Sequence, residues 1–394
     1  MKLKWVVLTL TVCLVTASIA SAKDWPHWRG PDYNGISTET DWNPLAVNEK
    51  KILWEAQVGI GFSAVSVVEG KAYTMGNSDK KTDVVYCFDA ETGKEIWRHE
   101  YAEDLNPKYY EGGSSATPVV SDGKVYTVSK TAHIFCLDAA SGAVVWEKQP
   151  AYDDPTWGIA TSALVLDDKV IFNLHQHGLA LNKLTGETIW TSEGGKPGYA
   201  TPVPFEQKGT QMVAIFGKDT VMGVEAATGT LRWSYPWKTQ HDVNASDPII
   251  HDEKVFITSG YNHGAALIDI SGAEPVKLWE NKNMRSQMSG PVLIDGYLYG
   301  FDDSQLACLD WKTGEQKWTE KKPRKGALTA AGDKLIVIGE SGTLMIVAAS
   351  PAGYQELASA EVLSGGRCWT TPVLSGGRVY VRNAPGQMVC VDVK

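Results

Sequence analysis

The chain has 394 residues, 43% hydrophobic and 21% charged, with 38 glycines and 15 tryptophans, which excludes a disordered or collagen-like segment and fits a large, turn-rich folded domain. Its formal net charge of −9 argues against nucleic acid or an anionic membrane surface as a partner.

Residues 1–22 read as a secretory signal: Lys2 and Lys4 precede an apolar run from Trp5 to Val15, and Ala20-Ser21-Ala22 offers a small-residue cleavage site. Cys13 follows Val12, where a lipid-attachment signal wants a small residue, so lipidation is not expected. The mature protein is therefore expected to be exported, to the periplasm or outside the cell, with no transmembrane segment. Residues 23–50 form an arm whose Trp25, Pro26, Trp28, Pro31 and Pro44 are too apolar for a free tail. It is expected to pack along the body of the protein or across a channel mouth.

From residue 51 onward one unit recurs. Asp89 to Gly93 leads to Trp97, Asp138 to Gly142 to Trp146, Asn182 to Gly186 to Trp190, and Glu225 to Gly229 to Trp233. Asp269 to Gly272 leads to Trp279 with two extra residues, Asp310 to Gly314 leads to Trp318, and a worn copy, Ala348 to Gly353, has lost its tryptophan. The tryptophans are 49, 44, 43, 46 and 39 residues apart, the period of a four-stranded propeller blade. Each turn has a local cause, because an Asp or Asn side chain bonds the backbone N–H groups ahead of it while glycine takes the positive φ. Alternating runs such as Lys124–Val128 and Ile134–Asp138 precede the turns, as half-buried antiparallel strands require.

The last segment, Trp369 to Asp392, supplies three strands and stops, whereas Lys51-Ile52-Leu53-Trp54-Glu55 has the tryptophan strand's pattern with nothing before it. Pairing the two ends closes an all-β, eight-bladed propeller over residues 51–394 and removes exposed sheet edges. Cys87, Cys136, Cys308 and Cys390 each stand two residues before the turn's acidic residue. Equivalent slots on neighbouring blades lie about 10 Å apart, beyond disulfide reach, so these are expected as buried small hydrophobes. Cys368, at a strand entrance, is expected to be structural too.

The repeats, together with strand starts such as Ala116-Thr117-Pro118-Val119, Ala200-Thr201-Pro202-Val203, Ser289-Gly290-Pro291-Val292 and Thr370-Thr371-Pro372-Val373, resemble the pyrroloquinoline-quinone-type propeller repeat. That family includes quinoprotein alcohol dehydrogenases and the propeller lipoprotein of the outer-membrane barrel-assembly machinery. Trp25-Pro26-His27-Trp28-Arg29-Gly30-Pro31, with Trp237-Lys238-Thr239, Asp242 to Ala245, Ser259-Gly260-Tyr261 and Cys368-Trp369-Thr370, resembles a secreted bacterial group of planctomycete type. The resemblance implies the fold; one propeller hosts many functions. For a dehydrogenase it also implies a quinone held between a tryptophan and two adjacent cysteines, with Ca²⁺ bound by Glu and Asn and an Asp base. No Cys-Cys pair occurs here, and no matching Glu, Asn and Asp set is recognisable.

In a propeller the residues preceding each innermost strand, and the turns between second and third strands, gather at the channel entrance. That places Ser114, Trp157, Tyr199, Asn244, Gln287, Lys325 and Trp369 there, with His175, His177, Asp219, Asn262, His263, Asp302, Asp303, Arg382 and Asn383 on the turns. His241, Asp242, Arg285, Arg324 and Arg367 lie on the approaching loops. The ligand- or partner-binding set expected from this is Trp157, Tyr199, Asp242, Asn244, Arg285, Gln287, Arg367, Trp369 and Arg382. Interleaved cations and aromatics suit a planar or anionic ligand, or a protein segment. His175-Gln176-His177 and Asp302-Asp303 are weak metal candidates, since no third ligand is fixed by spacing.

Neither a nucleophile elbow nor a phosphate-binding glycine loop is present. The function expected first is a non-catalytic binding or scaffold propeller of the cell envelope, with an unidentified envelope protein or small ligand at the entrance and no catalytic residues. A pyrroloquinoline-quinone- and calcium-dependent alcohol or sugar dehydrogenase stands second, with Trp157 or Trp369 as stacking floor. Carbohydrate binding through rim aromatics stands third.

Overall fold

The computed structural model describes residues 24–394; residues 1–22, read above as a secretory signal, and with them Cys13, lie outside the described residues. Eight antiparallel sheets form the ring, with no α-helix among the described residues. Blades 1 to 7 follow chain order from Ser66–Val68 to Glu356–Glu361, and each is a four-strand meander. Blade 8 takes its three inner strands from Val373–Ser375, Arg378–Arg382 and Gln387–Asp392, and its outer strand from Ile52–Gln57. Trp54 pairs with Cys390 in that seam, the same register in which Trp97 faces Cys87 and Trp146 faces Cys136. The ends therefore close the ring as the repeat requires.

The turn chemistry is as the residues dictate. Asp89 Oδ1 accepts from the Glu91 and Thr92 amides and the Thr92 hydroxyl, and Gly93 follows at φ 70°. Asp138 and Asp310 repeat this arrangement.

The outer-strand tryptophans join one blade to the next. Trp54, Trp97, Trp146, Trp190 and Trp279 lie over Gly93, Gly142, Gly186, Gly229 and Gly314 of the following blade, where a Cβ would fall 2.5–2.8 Å from the indole. The same rings donate their N–H to backbone carbonyls of that blade, as in Trp97 to Ala139 at 3.1 Å and Trp190 to Ala226 at 3.0 Å. Glycine is thus required at these turns for its positive φ and for the ring above it.

Trp233 departs from the pattern. The turn ahead of it carries the two extra residues, and its N–H goes to Gln207 of its own blade. Trp318 is partly exposed, as Trp279 is, and no ring covers Gly353 of the worn seventh turn, which has no atoms near it.

Blade 7 has Ala358 where a tryptophan would stand, opposite Ile346. The gap is filled by the arm. A 3-10 helix, Pro44–Glu49, places Ala46 and Val47 in one apolar cluster with Ala358, Ile346, Val391 and Val393. Asn43 caps that helix through the Leu45 amide, and Asn48 accepts from the Ser359 amide at 3.0 Å.

Cys87, Cys136, Cys308, Cys368 and Cys390 are free and buried. Burial pushes the Cys368 thiol up to about 12, so it stays protonated and inert near neutral pH.

Trp97→Ala should lose about 3–5 kcal/mol, the usual cost of removing a buried large aromatic. Trp318→Ala should lose less, since its side chain is already partly exposed. Urea denaturation of both variants checks the order; equal losses would mean the rings do not hold the blades together.

Candidate functional site

Residues 24–43 enter the channel from the face of the Asp-Gly turns, rise, turn back and leave by the same face. Near the turn face Asp24 accepts from the Glu69 amide. Trp25 then pairs antiparallel with Val67 of the innermost strand of blade 1, and Pro26 O accepts from the Val120 amide of blade 2. The return leg, Ile36–Ser37, pairs in parallel with Ala330 and Ala331 of blade 7. Glu39 then accepts from the Gly376 and Gly377 amides at the turn face of blade 8. The arm thus plugs its own ring. The bend between the legs uses left-handed backbone at Arg29, Gly30, Tyr33 and Gly35.

Near the bend a relay of hydrogen bonds circles the channel. Ala64 N donates to Thr117 Oγ1, Thr117 N to Ser162 Oγ, Ser162 N to Thr201 Oγ1, and Thr201 N to Asp247 Oδ1, at 2.8–3.0 Å. Each oxygen belongs to the equivalent residue ahead of the next blade's inner strand. At Asp247 the relay meets the arm, because Trp28 Nε1 donates to Asp247 Oδ2 at 2.5 Å. Blade 6 has Gly290 in this slot, and the Arg29 guanidinium occupies the space a side chain would need while donating to Pro291 O at 2.6 Å.

Above the bend is a cavity of about 320 Å³. Trp28 is its contribution from the arm, and loops from around the ring supply Phe62, Tyr109, Tyr110, Trp157, Tyr199 and Trp369. Tyr109 and Tyr110 meet Trp157 edge-on at 5.8 and 6.1 Å. Tyr110 is set by Lys130, whose ammonium lies 2.9 Å from its hydroxyl; burial lowers that lysine to about 8. Phe62 stacks on Trp369 at 5.6 Å, while Arg367 and Lys325 lie over the Trp369 ring at 4.9 and 5.0 Å. The cations have partners: Arg367 pairs with Glu111 at 3.2 Å, and Lys325 donates to Gln287.

Of the residues expected at the entrance, Trp157, Tyr199, Gln287, Arg367 and Trp369 line this cavity. Asn244 is buried below it, donating to the carbonyls of Gly217, Lys218 and Trp237, while its own carbonyl fixes the Tyr199 and Ala200 amides. It positions Tyr199 and presents no free group. Arg382 is also fully buried, donating to Met75 O at 2.6 Å and Gly59 O at 2.8 Å between blades 8 and 1. Arg285 grips Asp302 through two bonds of 2.6 and 2.8 Å, and Asp242 pairs with Lys218 at 3.4 Å. Neither belongs to the cavity lining. Trp28, Phe62, Tyr109, Tyr110 and Asp247 were not legible as site residues, although Asp247 stands out as the one acid in a slot otherwise held by Ala, Ser, Thr or Gly.

The family model described as outer membrane protein assembly factor BamB matches residues 80–320. Among solved structures, BamB from Moraxella catarrhalis is 17% identical with a TM-score of 0.66, over 87% of this chain and 97% of that one. The quinohemoprotein alcohol dehydrogenase from Comamonas testosteroni is 15% identical with a TM-score of 0.70, over 94% and 81%. A europium-containing methanol dehydrogenase is 14% identical, also at 0.70, over 91% and 89%. At these identities the likeness is one of fold. Among curated proteins no significant match is found.

The cavity does not fit the calcium and quinone pair of the dehydrogenases. No three His, Cys, Asp or Glu side chains converge as metal ligands among the described residues, and Asp247 is committed to Trp28 and Thr201. The stacked pair Phe62 and Trp369 is already in contact, leaving no slot for a flat ring between them.

Two buried groups, His27 on the plug and Asp247 of the ring wall against it, titrate against each other. Burial lowers His27, stacked on Tyr33 at 3.9 Å, to about 4. Burial raises Asp247 to about 6, with Arg29 opposing. A lowered histidine contributes stability above its unfolded pKa near 6.5 that is lost as pH falls toward 4. A raised carboxyl contributes stability present below its unfolded pKa near 3.8 that is lost as pH rises through 6. The two slopes oppose each other between pH 4 and 6. Asp247→Asn should remove the second slope, so its melting temperature should fall more steeply than the wild type's from pH 6.5 to 4. Parallel curves in thermal melts across that range would show that Asp247 is not coupled to the plug.

Proposed function

Since this chain belongs to the family described as outer membrane protein assembly factor BamB, matched over more than half its length, we propose that it is a binding propeller of the cell envelope that works through the cavity at its channel entrance. The observation that carries this reading is the dead-ended aromatic cavity, closed from below by Trp28 held on Asp247. Its volume is at the small end for ligand sites, and apolar walls with a few convergent polar groups are the usual make-up of such sites. A ligand enters and leaves by one face. The signal-like pattern of residues 1–22 supports export to the envelope, which suits a family named for outer-membrane assembly, and the Trp25–Pro31 segment resembles that of secreted planctomycete-type chains. Binding without chemistry is favoured over a quinone dehydrogenase because no three His, Cys, Asp or Glu side chains converge as metal ligands among the described residues and Phe62 already stacks on Trp369.

Thermal-shift screening of the mature protein against low-molecular-weight envelope extracts tests this. Extract fractions should raise the melting temperature of the wild type, and Trp369→Ala should abolish the shift while Lys208→Ala, on the opposite face, preserves it. A shift lost only with Lys208→Ala would move the site to the other side of the ring. Dye-linked turnover after loading with pyrroloquinoline quinone and Ca²⁺ would establish the dehydrogenase instead.

A further inference from the structure

We propose that the ligand of this cavity is a neutral sugar, one or two pyranose rings long. This deepens the binding reading above and rests on it.

Three features set the ligand class. First, several hydrogen-bond donors meet at the cavity without protein acceptors. Ser162 and Thr201 each accept one backbone bond, which leaves their O–H groups to donate. Gln287 accepts from Lys325 through its carbonyl, which leaves its amide N–H groups as donors. Donors in a largely enclosed site that lack an acceptor cost free energy that ligand oxygens would recover.

Second, the surrounding surface is aromatic. A pyranose presents a C–H face to a ring and hydroxyls at its rim, so it uses aromatic walls and scattered donors together. Trp28, Trp157 and Tyr199 provide walls of that kind from three separate parts of the chain.

Third, the charge at the entrance is balanced. Arg367 is neutralised by Glu111 at 3.2 Å, and the Trp369 that both cations overlie is held by Glu340 at 2.9 Å. A carboxylate or phosphate ligand would have to share Arg367 with the Glu111 carboxylate, like charge beside like charge, whereas a neutral ligand leaves that pair undisturbed. A flat aromatic would leave the donors of Ser162, Thr201 and Gln287 unpaired. An extended peptide has no exit, because the arm blocks the channel below Trp28.

Isothermal titration of the mature protein with maltose, cellobiose and N,N′-diacetylchitobiose, against glucuronate and benzoate as anionic and aromatic controls, tests the proposal. At least one neutral disaccharide should bind, and the controls should not. Trp157→Phe, which shrinks the wall, should weaken binding several-fold; Trp157→Ala, which removes it, should weaken binding by about tenfold or more. Lys208→Ala on the opposite face should bind as wild type. Binding of glucuronate or benzoate with no disaccharide response, lost in Trp157→Ala, would overturn the sugar assignment while leaving the cavity as the binding site. Disaccharide binding that both Trp157 variants retain would overturn this site as the sugar site. No response to any of the five probes, with the envelope-extract shift still abolished by Trp369→Ala, would overturn the sugar assignment alone.

Discussion

A tryptophan on the outer strand of one blade, lying on a glycine turn of the next, is the contact on which the ring depends. It combines a large apolar area with an indole N–H that closes on a carbonyl across the seam, so one residue both packs and orients the neighbour. Because each blade touches mainly its two neighbours, stability accumulates seam by seam. A weak seam therefore needs its own remedy. At blade 4 the ring of Trp233 turns back to Gln207, and at blade 7 the tryptophan is missing altogether.

The remedy for blade 7 comes from the same arm that fills the channel. After leaving the ring, residues 44–49 wedge Ala46 and Val47 beside Ala358, in the place of the lost indole. One segment thus completes the body at two separate points. Inside the channel it also supplies Arg29 where blade 6 has only Gly290. The arm is part of the fold, and the entrance cavity exists as a closed site because of it.

Binding chemistry follows from that closure. An open channel would expose both faces to water and leave Asp247 solvated. With the arm in place, Asp247 ends a relay of backbone and hydroxyl bonds running from Ala64 across blades 1 to 5, and it anchors Trp28 beneath the cavity. The aromatic loops above are fixed in turn by buried polar groups: Asn244 behind Tyr199, and Lys130 behind Tyr110. Walls held by such brackets lose little freedom on binding, which is the condition for useful affinity in a small site.

The blade count, the closure by Ile52–Gln57 and the buried cysteine slots are set by local chemistry that recurs at a fixed period, and the sequence by itself determines them. Asp89, Gly93 and Trp97 act within nine residues of one another, so their roles can be read without knowing the ring. The entrance face was legible to the same degree: the residues ahead of each inner strand converge, and Trp157, Tyr199, Gln287, Arg367 and Trp369 do line the cavity. Asn244 stands ahead of an inner strand as they do, and Arg382 ends a second strand on the same face, yet both are buried on backbone carbonyls, because whether a polar side chain faces the cavity or the seam below depends on which carbonyls lie within reach. Tertiary structure alone decided the path of the arm. Trp28 reaches Asp247 across 219 residues of chain, and no period or local propensity carries that information; it arises only when eight blades have closed a channel wide enough to hold two passes of backbone.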